Sequence, residues 1–311
     1  MLGKLKGLFG SKSKGTGEAP VRMKRVNVDR RFTLISLTGQ GSMSRVHKAI
    51  DNENGRAVCL KVQHVEKQAA ANARSAAHKR PPEGVIASKI VHPHVVKTYE
   101  FGLTNKGEHF IVMEFVEGVS LQLIREAHTA DLAEKLELLA QAAEGLAAVH
   151  AAGFIHHDIG PKNFLVDPDH QVKLIDFGLA IPNTPTFRRP GNRTGTLLYM
   201  APELIRRETI DERIDIFSFG ALAFEFLTDR LPYDANEANS MAALLQRINS
   251  EPIDPADAAP HLPDVLCDLL RKLTARRKEE RWPQMSTVPE VLRGIPVKKR
   301  KRAKREDRPM S

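Results

Sequence analysis

Short apolar runs separated by turn residues occupy the first part of the chain, and helical repeats occupy the rest. Residues 31–62 read as three strands, RFTLISLT, SRVHKAI and RAVCLKV. The glycine-containing stretch GQGSMS turns the chain between the first two. Asn54-Gly55 predicts a tight hairpin between the last two. After an alanine-rich stretch at 68–77, Pro81-Pro82-Glu83 predicts the opening of a short helix, because proline is tolerated only in a first turn. Two more strands are expected around HVVKTYEFGL and HFIVMEFV. From Ser120 the period changes. Leu132, Leu136, Leu139, Ala143, Leu146 and Ala147 recur at three- and four-residue steps, an amphipathic helix that Gly153 ends. Helical patterns return at 213–228, 237–249 and 263–275. A strand-rich beginning and a helix-rich remainder predict an α+β fold in two lobes, without internal repeats.

Charge sharpens this division. The net charge of the 311 residues is +9, yet residues 1–25 carry +6 and residues 297–311 carry +6, so the body between them is mildly acidic at −3. Residues 1–30 are expected to be a flexible basic leader and 297–311 a disordered basic tail. The ordinary reading of such ends is solvated chain; an anionic membrane surface or nucleic acid are the alternative partners. Leu2, Leu5, Leu8 and Phe9 give the leader an interfacial pattern, although its three glycines weaken a helix by about 1 kcal/mol each. With Leu2 where N-myristoylation needs glycine, that anchor is not expected, and the scattered lysines argue against a secretory signal. No apolar run reaches the length of a membrane span. The two cysteines, Cys59 and Cys267, stand far apart, which suits a reducing cytoplasmic compartment rather than a disulfide framework.

The chemistry is concentrated in HHDIGPKN at 156–163 and LIDFG at 174–178. Asp158, Asn163 and Asp176 together supply what transfer of a phosphoryl group needs. One carboxylate orients an attacking hydroxyl, and an amide oxygen with a second carboxylate holds magnesium, a hard cation that takes oxygen ligands. The adjacent His156 and His157 raise the question of a metal site, but neighbouring side chains on an extended loop diverge, so packed loop histidines are expected.

These pieces together resemble the eukaryotic-type protein kinase family over roughly residues 31–290, with an N-lobe at 31–116 and a C-lobe at 117–296. The resemblance implies a bilobal fold, a small antiparallel sheet followed by a mainly helical lobe. Residues 37–46 resemble the glycine-rich loop over the ATP phosphates, with Gly39, Gly41, Ser44 (where the family has a third glycine) and Val46 at the nucleotide. Val58-Cys59-Leu60-Lys61 resembles the strand whose lysine holds the α/β-phosphates; its implied partner is Glu83, placed by its register to His92-Pro93-His94-Val95-Val96. Cys59 stands against the adenine where alanine is usual, narrowing the pocket and offering a thiol to electrophiles. Residues 111–118 resemble the hinge, with Met113 controlling access, the backbones of Glu114 and Val116 facing adenine, and Leu165 packing beneath it.

In the catalytic loop the resemblance makes Asp158 the base and Asn163 and Asp176 the magnesium ligands. His157 replaces the arginine that usually receives a loop phosphate, and Gly160 replaces the lysine that steadies the transferring phosphate. Lys162 is expected to compensate as a point charge. TGTLLYMAPE at 194–203 resembles the segment that cradles the acceptor and is typical of Ser/Thr specificity. Glu203 should pair with Arg281, and Asp215 should tether the catalytic loop. The implied activity is transfer from MgATP to Ser/Thr hydroxyls of proteins. The rivals are a pseudokinase, motivated by Gly160, His157 and Pro81-Pro82, and a small-molecule phosphotransferase with a similar loop.

Overall fold

The computed structural model describes residues 23–40, 44–64, 80–191, 194–233 and 247–297. The expectations for the leader up to residue 22, for Gly41, for the alanine-rich stretch, for the helical pattern between 237 and 246 and for the tail from 298 lie outside the described residues.

Six strands form the first sheet: β1 (Arg25–Val26), β2 (Phe32–Gln40), β3 (Ser44–Asp51), β4 (Arg56–Gln63), β5 (Thr98–Thr104) and β6 (His109–Glu114). Their order is β1-β5-β6-β4-β3-β2, antiparallel except where β1 joins β5. Because side chains alternate across a strand, β4 sends Val58, Leu60 and Val62 to one face and Cys59, Lys61 and Gln63 to the other. The first set builds a small core with Phe32, Ala49, Phe110 and Val112. The second set faces the interior of the molecule. Hence one strand supplies both the apolar anchor and the lysine.

Three expectations about this region are corrected. Ordered structure begins before Arg31: β1 pairs with Leu103 and Thr104, and a single helical turn, α1 (Val28–Arg31), follows an Asn27 cap. A two-residue parallel strand takes all its bonds from a distant partner, so it leaves no local period. The DNENG turn is a four-residue loop, not a two-residue one. Asp51 pairs with Arg56, and the Asp51 carbonyl accepts from the amides of Asn54 (3.2 Å) and Gly55 (2.8 Å). Finally, β5 begins at Thr98 rather than near His94. His94–Val96 instead joins the second lobe, where Val96 N donates to Leu174 O (3.0 Å) and Leu174 N to His94 O (2.9 Å).

Pro82 caps a short helix α2 (Glu83–Ala87), as its sequence predicts. Beyond the connection at 115–118 come α3 (Leu121–Ala127), which the periodicity did not single out, and the long α4 (Leu132–Ala151). Asp131 caps the N-terminus of α4, accepting from Glu134 N at 3.0 Å. Short strands β7 (Val119–Ser120), β8 (Phe154–Ile155), β9 (Phe164–Val166), β10 (Val172–Leu174) and β11 (Ile181–Pro182) form two small sheets that hold the loops between them. Helices α5 (Pro202–Ile205), α6 (Arg213–Thr228), α7 (Pro255–Ala258), α8 (Asp264–Leu273) and α9 (Val288–Arg293) complete the second lobe. The α6 bounds coincide with the predicted pattern. Its residues from Ile214 to Leu227 are buried nearly all round, the signature of a core helix rather than a surface one.

Gly220 lies where α6 meets α8. A Cβ added there would sit 2.6 Å from Leu273 Cβ and 2.9 Å from its carbonyl carbon. Gly220→Ala should therefore destabilise the protein by about 1–3 kcal/mol through overpacking, despite the gain in helix propensity. Urea unfolding of the variant checks this; a stability equal to or above the wild type would show that the two helices can part without cost.

Candidate active site

A cavity of about 620 Å³ opens between the first sheet and the second lobe. Val46, Cys59, Lys61, Glu114, Val116, Lys162, Leu165 and Asp176, all singled out from the sequence, line it, with Met113. Gly39 stands opposite Val46 in β2, and Ser44 opens β3 opposite Gln63. Neither belongs to the described cavity wall, which Thr38 and Val46 form at that end.

At the inner end lies a buried charge cluster. Lys61 Nζ donates to Glu83 Oε1 at 2.8 Å and to Asp176 Oδ1 at 2.7 Å. The Lys61 and Glu83 side chains are 6% and 2% exposed. The proline pair that shortens α2 makes Glu83 its first residue, at the end where the helix dipole favours an anion. Gln63, which sequence reasoning missed, donates to the second Glu83 oxygen at 2.7 Å. It sits two residues beyond Lys61 on the same strand face, so the period-two rule was the available signal. Burial would lower the Lys61 ammonium, but Glu83 and Asp176 hold it well above the ordinary lysine range. Enclosure likewise disfavours charge on Asp176; the Lys61 ammonium, its hydrogen bond and the Gly178 amide (2.9 Å) outweigh this and hold the carboxyl below the usual range. Asp176 still opens to the cavity, its side chain 47% exposed.

The loop carrying Asp158 is held from beneath by a carboxylate. Asp215, in the first turn of α6 and 1% exposed, accepts from His156 N (2.7 Å), His157 N (2.8 Å) and His150 Nε2 (3.0 Å). This anchors His157 in a left-handed conformation, φ 72°, which side chains seldom adopt. Asn163 Nδ2 donates to Asp158 O (2.7 Å) and Oδ2 (3.2 Å), which leaves its amide oxygen on the opposite side. Asp158 Oδ1 accepts from the amide and the hydroxyl of Thr196, at 2.9 and 2.8 Å. The sequence placed Thr196 only within the acceptor-cradling segment; its contact with Asp158, 38 residues away, is not legible there. The approach depends on Gly195, whose φ is 111° and whose added Cβ would meet His157 O at 2.6 Å.

The two histidines diverge, as expected. His156 is 0% exposed and packs edge-on against Phe177, with ring centroids 5.2 Å apart. His157 Nδ1 lies 3.1 Å from the Thr194 hydroxyl. Among the described residues no group of three His, Cys, Asp or Glu is placed to hold a metal. Glu203 and Arg281 form the predicted buried pair, with Nη2 to Oε2 at 2.7 Å. Cys59 lines the cavity, and burial pushes its thiol up to about 11, away from the thiolate form that reacts with electrophiles.

Comparison with known proteins agrees with this arrangement. Residues 32–292 match the family model described as "Protein kinase domain". The chain is 30% identical over 273 residues to "Probable serine/threonine-protein kinase pknA2" of Bifidobacterium longum, covering 87% of this chain and 36% of that protein. It is 34% identical over 243 residues to "Serine/threonine-protein kinase pkn2" of Myxococcus xanthus, covering 76% and 28%. It is 32% identical over 259 residues to "Serine/threonine-protein kinase PknB" of Mycolicibacterium smegmatis, covering 78% and 40%. The aligned part thus spans well under half the length of these relatives.

The buried histidines make a prediction about acid. Desolvation pushes both His156 and His157 below the ordinary imidazole range, against the opposing pull of Asp215. The folded protein keeps them neutral while the unfolded chain takes up protons below about pH 6.5, so acidification favours unfolding. The urea midpoint should be lower at pH 5.5 than at pH 7.5. A midpoint that held constant over this interval would mean that both imidazoles protonate within the fold.

Proposed function

Because this chain belongs to the protein kinase domain family, we propose that it transfers the γ-phosphoryl group of MgATP to serine and threonine hydroxyls of proteins. The observation that carries this reading is the Lys61–Glu83–Asp176 cluster at the inner end of the cavity, with the Asp158–Asn163 pair on the loop whose Lys162 lines that same cavity. In this reading Lys61, kept charged by its two carboxylates, binds nucleotide phosphate. Val46, Cys59 and Leu165 enclose the adenine, and the Glu114–Val116 backbone meets its edge. The donor chemistry suits magnesium. One exposed carboxylate oxygen on Asp176 and the free amide oxygen of Asn163 are hard ligands, and magnesium keeps waters and substrate phosphates in its remaining positions. When bound, the ion neutralises charge between the phosphates.

Asp158 then orients the acceptor hydroxyl at the place where Thr196 now donates to it. Lys162, exposed on the cavity rim and without an ion-pair partner among the described residues, offsets charge on the transferring group in place of the missing lysine at Gly160. Against the pseudokinase alternative, neither a metal ligand nor the phosphate-binding lysine is missing: Asn163, Asp176 and Lys61 are all present. The GTLLYMAPE segment and the Asp215 tether favour protein acceptors over small molecules. His157 is neutral, so a phosphate on the 176–203 segment gains less from it than from arginine, and we propose that activity does not require loop phosphorylation. The basic ends suit an anionic membrane surface or nucleic acid, in a cytoplasmic setting. No helix among the described residues is long and apolar enough to cross a membrane.

Radiolabelled γ-phosphate supplied as MgATP should appear on the protein itself or on a generic Ser/Thr substrate, and Asp176→Ala should abolish the signal. Asp158→Asn should slow turnover by about 10²–10⁴ while ATP still raises the melting temperature. Transfer by Asp158→Asn at the wild-type rate would sink the assignment of the base.

A further inference from the structure

Arg247, in helical residues 247–249, is a buried cation with no part in the chemistry above. The residue is 3% exposed. Its Nη1 donates to the carbonyls of Leu197 (2.5 Å) and Met200 (3.1 Å). Its guanidinium carbon lies 5.5 Å from the centre of the Tyr233 ring, and its Nε has no partner. Among the described residues no carboxylate stands within ion-pair distance of it. Burial pushes this arginine down to about 10, the mark of a charge held without a counter-ion. Burying a guanidinium without an ionic partner costs free energy, so a gain in stability alone does not account for the arrangement.

Its geometry does give a reason. Leu197–Tyr199 form a single 3₁₀ turn directly after Thr196, the residue on Asp158. The carbonyls of Leu197 and Met200 are fixed by Arg247, that of Tyr199 by Ser218 Oγ (2.7 Å), and that of Thr196 by the Tyr199 amide (3.0 Å). Arg206 in turn donates to Ile248 O at 2.7 Å, which fixes the residue beside Arg247. The carbonyls of Leu197, Tyr199 and Met200 are therefore held by side chains from outside the turn, which an apolar contact cannot do. We propose that Arg247 is a positioning residue for the acceptor: it sets the height of segment 196–200 against Asp158 and so governs use of the protein substrate, not of ATP. The proposal rests on the phosphotransfer reading of the same site.

The test compares the full chain with Arg247→Met, which keeps the stem and removes the donors, and with Arg247→Lys, which restores charge and one donor. Met should raise KM for a protein acceptor by about 10–100-fold, the scale of a small misplacement, while KM for ATP changes by less than about twofold. Lys should recover part of the loss. The melting temperature of the Met variant should stay within a few degrees of the wild type, because relief of the buried charge offsets the lost hydrogen bonds, and hydrogen exchange should quicken at amides 196–200 only. Unchanged exchange at those amides overturns the proposal, as does a parallel loss of acceptor use, ATP use and melting temperature. If the wild type transfers no phosphate, the functional reading falls by itself, and the exchange comparison still decides whether Arg247 holds the turn.

Discussion

A lysine ammonium taken out of water must find anions, and the site follows from how Lys61 finds them. It projects from the inward face of β4, which the alternation of that strand dictates. One anion, Glu83, comes from α2; the other, Asp176, comes from a segment 115 residues away in the second lobe. Leaving the Lys61 ammonium unpaired at this depth would be costly, so strand, helix and loop are each confined to the positions that bring their groups together. The backbone bonds between His94–Val96 and Leu174 fix the same two lobes nearby. Between these two ties the cavity takes its shape, and the order in which the elements reach it in sequence ceases to matter.

Beneath the cavity the governing problem is a different one, that of holding irregular backbone in place. Loops cannot satisfy their own amides, so the second lobe uses buried side chains instead. Asp215 answers two consecutive amides, Arg281 joins Glu203 to three main-chain carbonyls nearby, and Arg247 and Ser218 hold the turn at 197–200. These groups are carried largely by α6 or lie against it. A helix buried on all sides is a rigid base from which charged groups can be aimed with little freedom.

The two departures in the catalytic loop have structural counterparts. Gly160 is fully extended, a conformation open to any residue, but its position lies against the Tyr199 ring, where an added Cβ would be 3.2 Å from Cδ2. The ring's hydroxyl donates to Glu225 at 2.6 Å, and Glu225 is also paired with Arg125. The lack of a side chain at 160 thus belongs with a tyrosine packed close and anchored. His157 meets Thr194 through a ring nitrogen, so this junction is made between neutral groups.

Much was legible in the residues themselves. The strands at 32–63, the long helix from Leu132 and the helix at 213–228 follow from short-range periods, the set of Asp158, Asn163 and Asp176 follows from chemistry that tolerates few substitutes, and Lys61 follows from the family resemblance. Glu83 was reachable through its register to His92-Pro93-His94-Val95-Val96, which the family resemblance supplies. What the chain could not disclose by itself are the partners: β1 on the edge of β5, His94–Val96 against β10, Gln63 on Glu83, Thr196 on Asp158 and Arg247 under the turn at 197. Each joins groups far apart in sequence or depends on which face an element turns inward. A local period records what one segment can form. Only packing of the segments against one another decides which buried donor meets which acceptor, because each such pair is stable only when the surrounding structure excludes water from both.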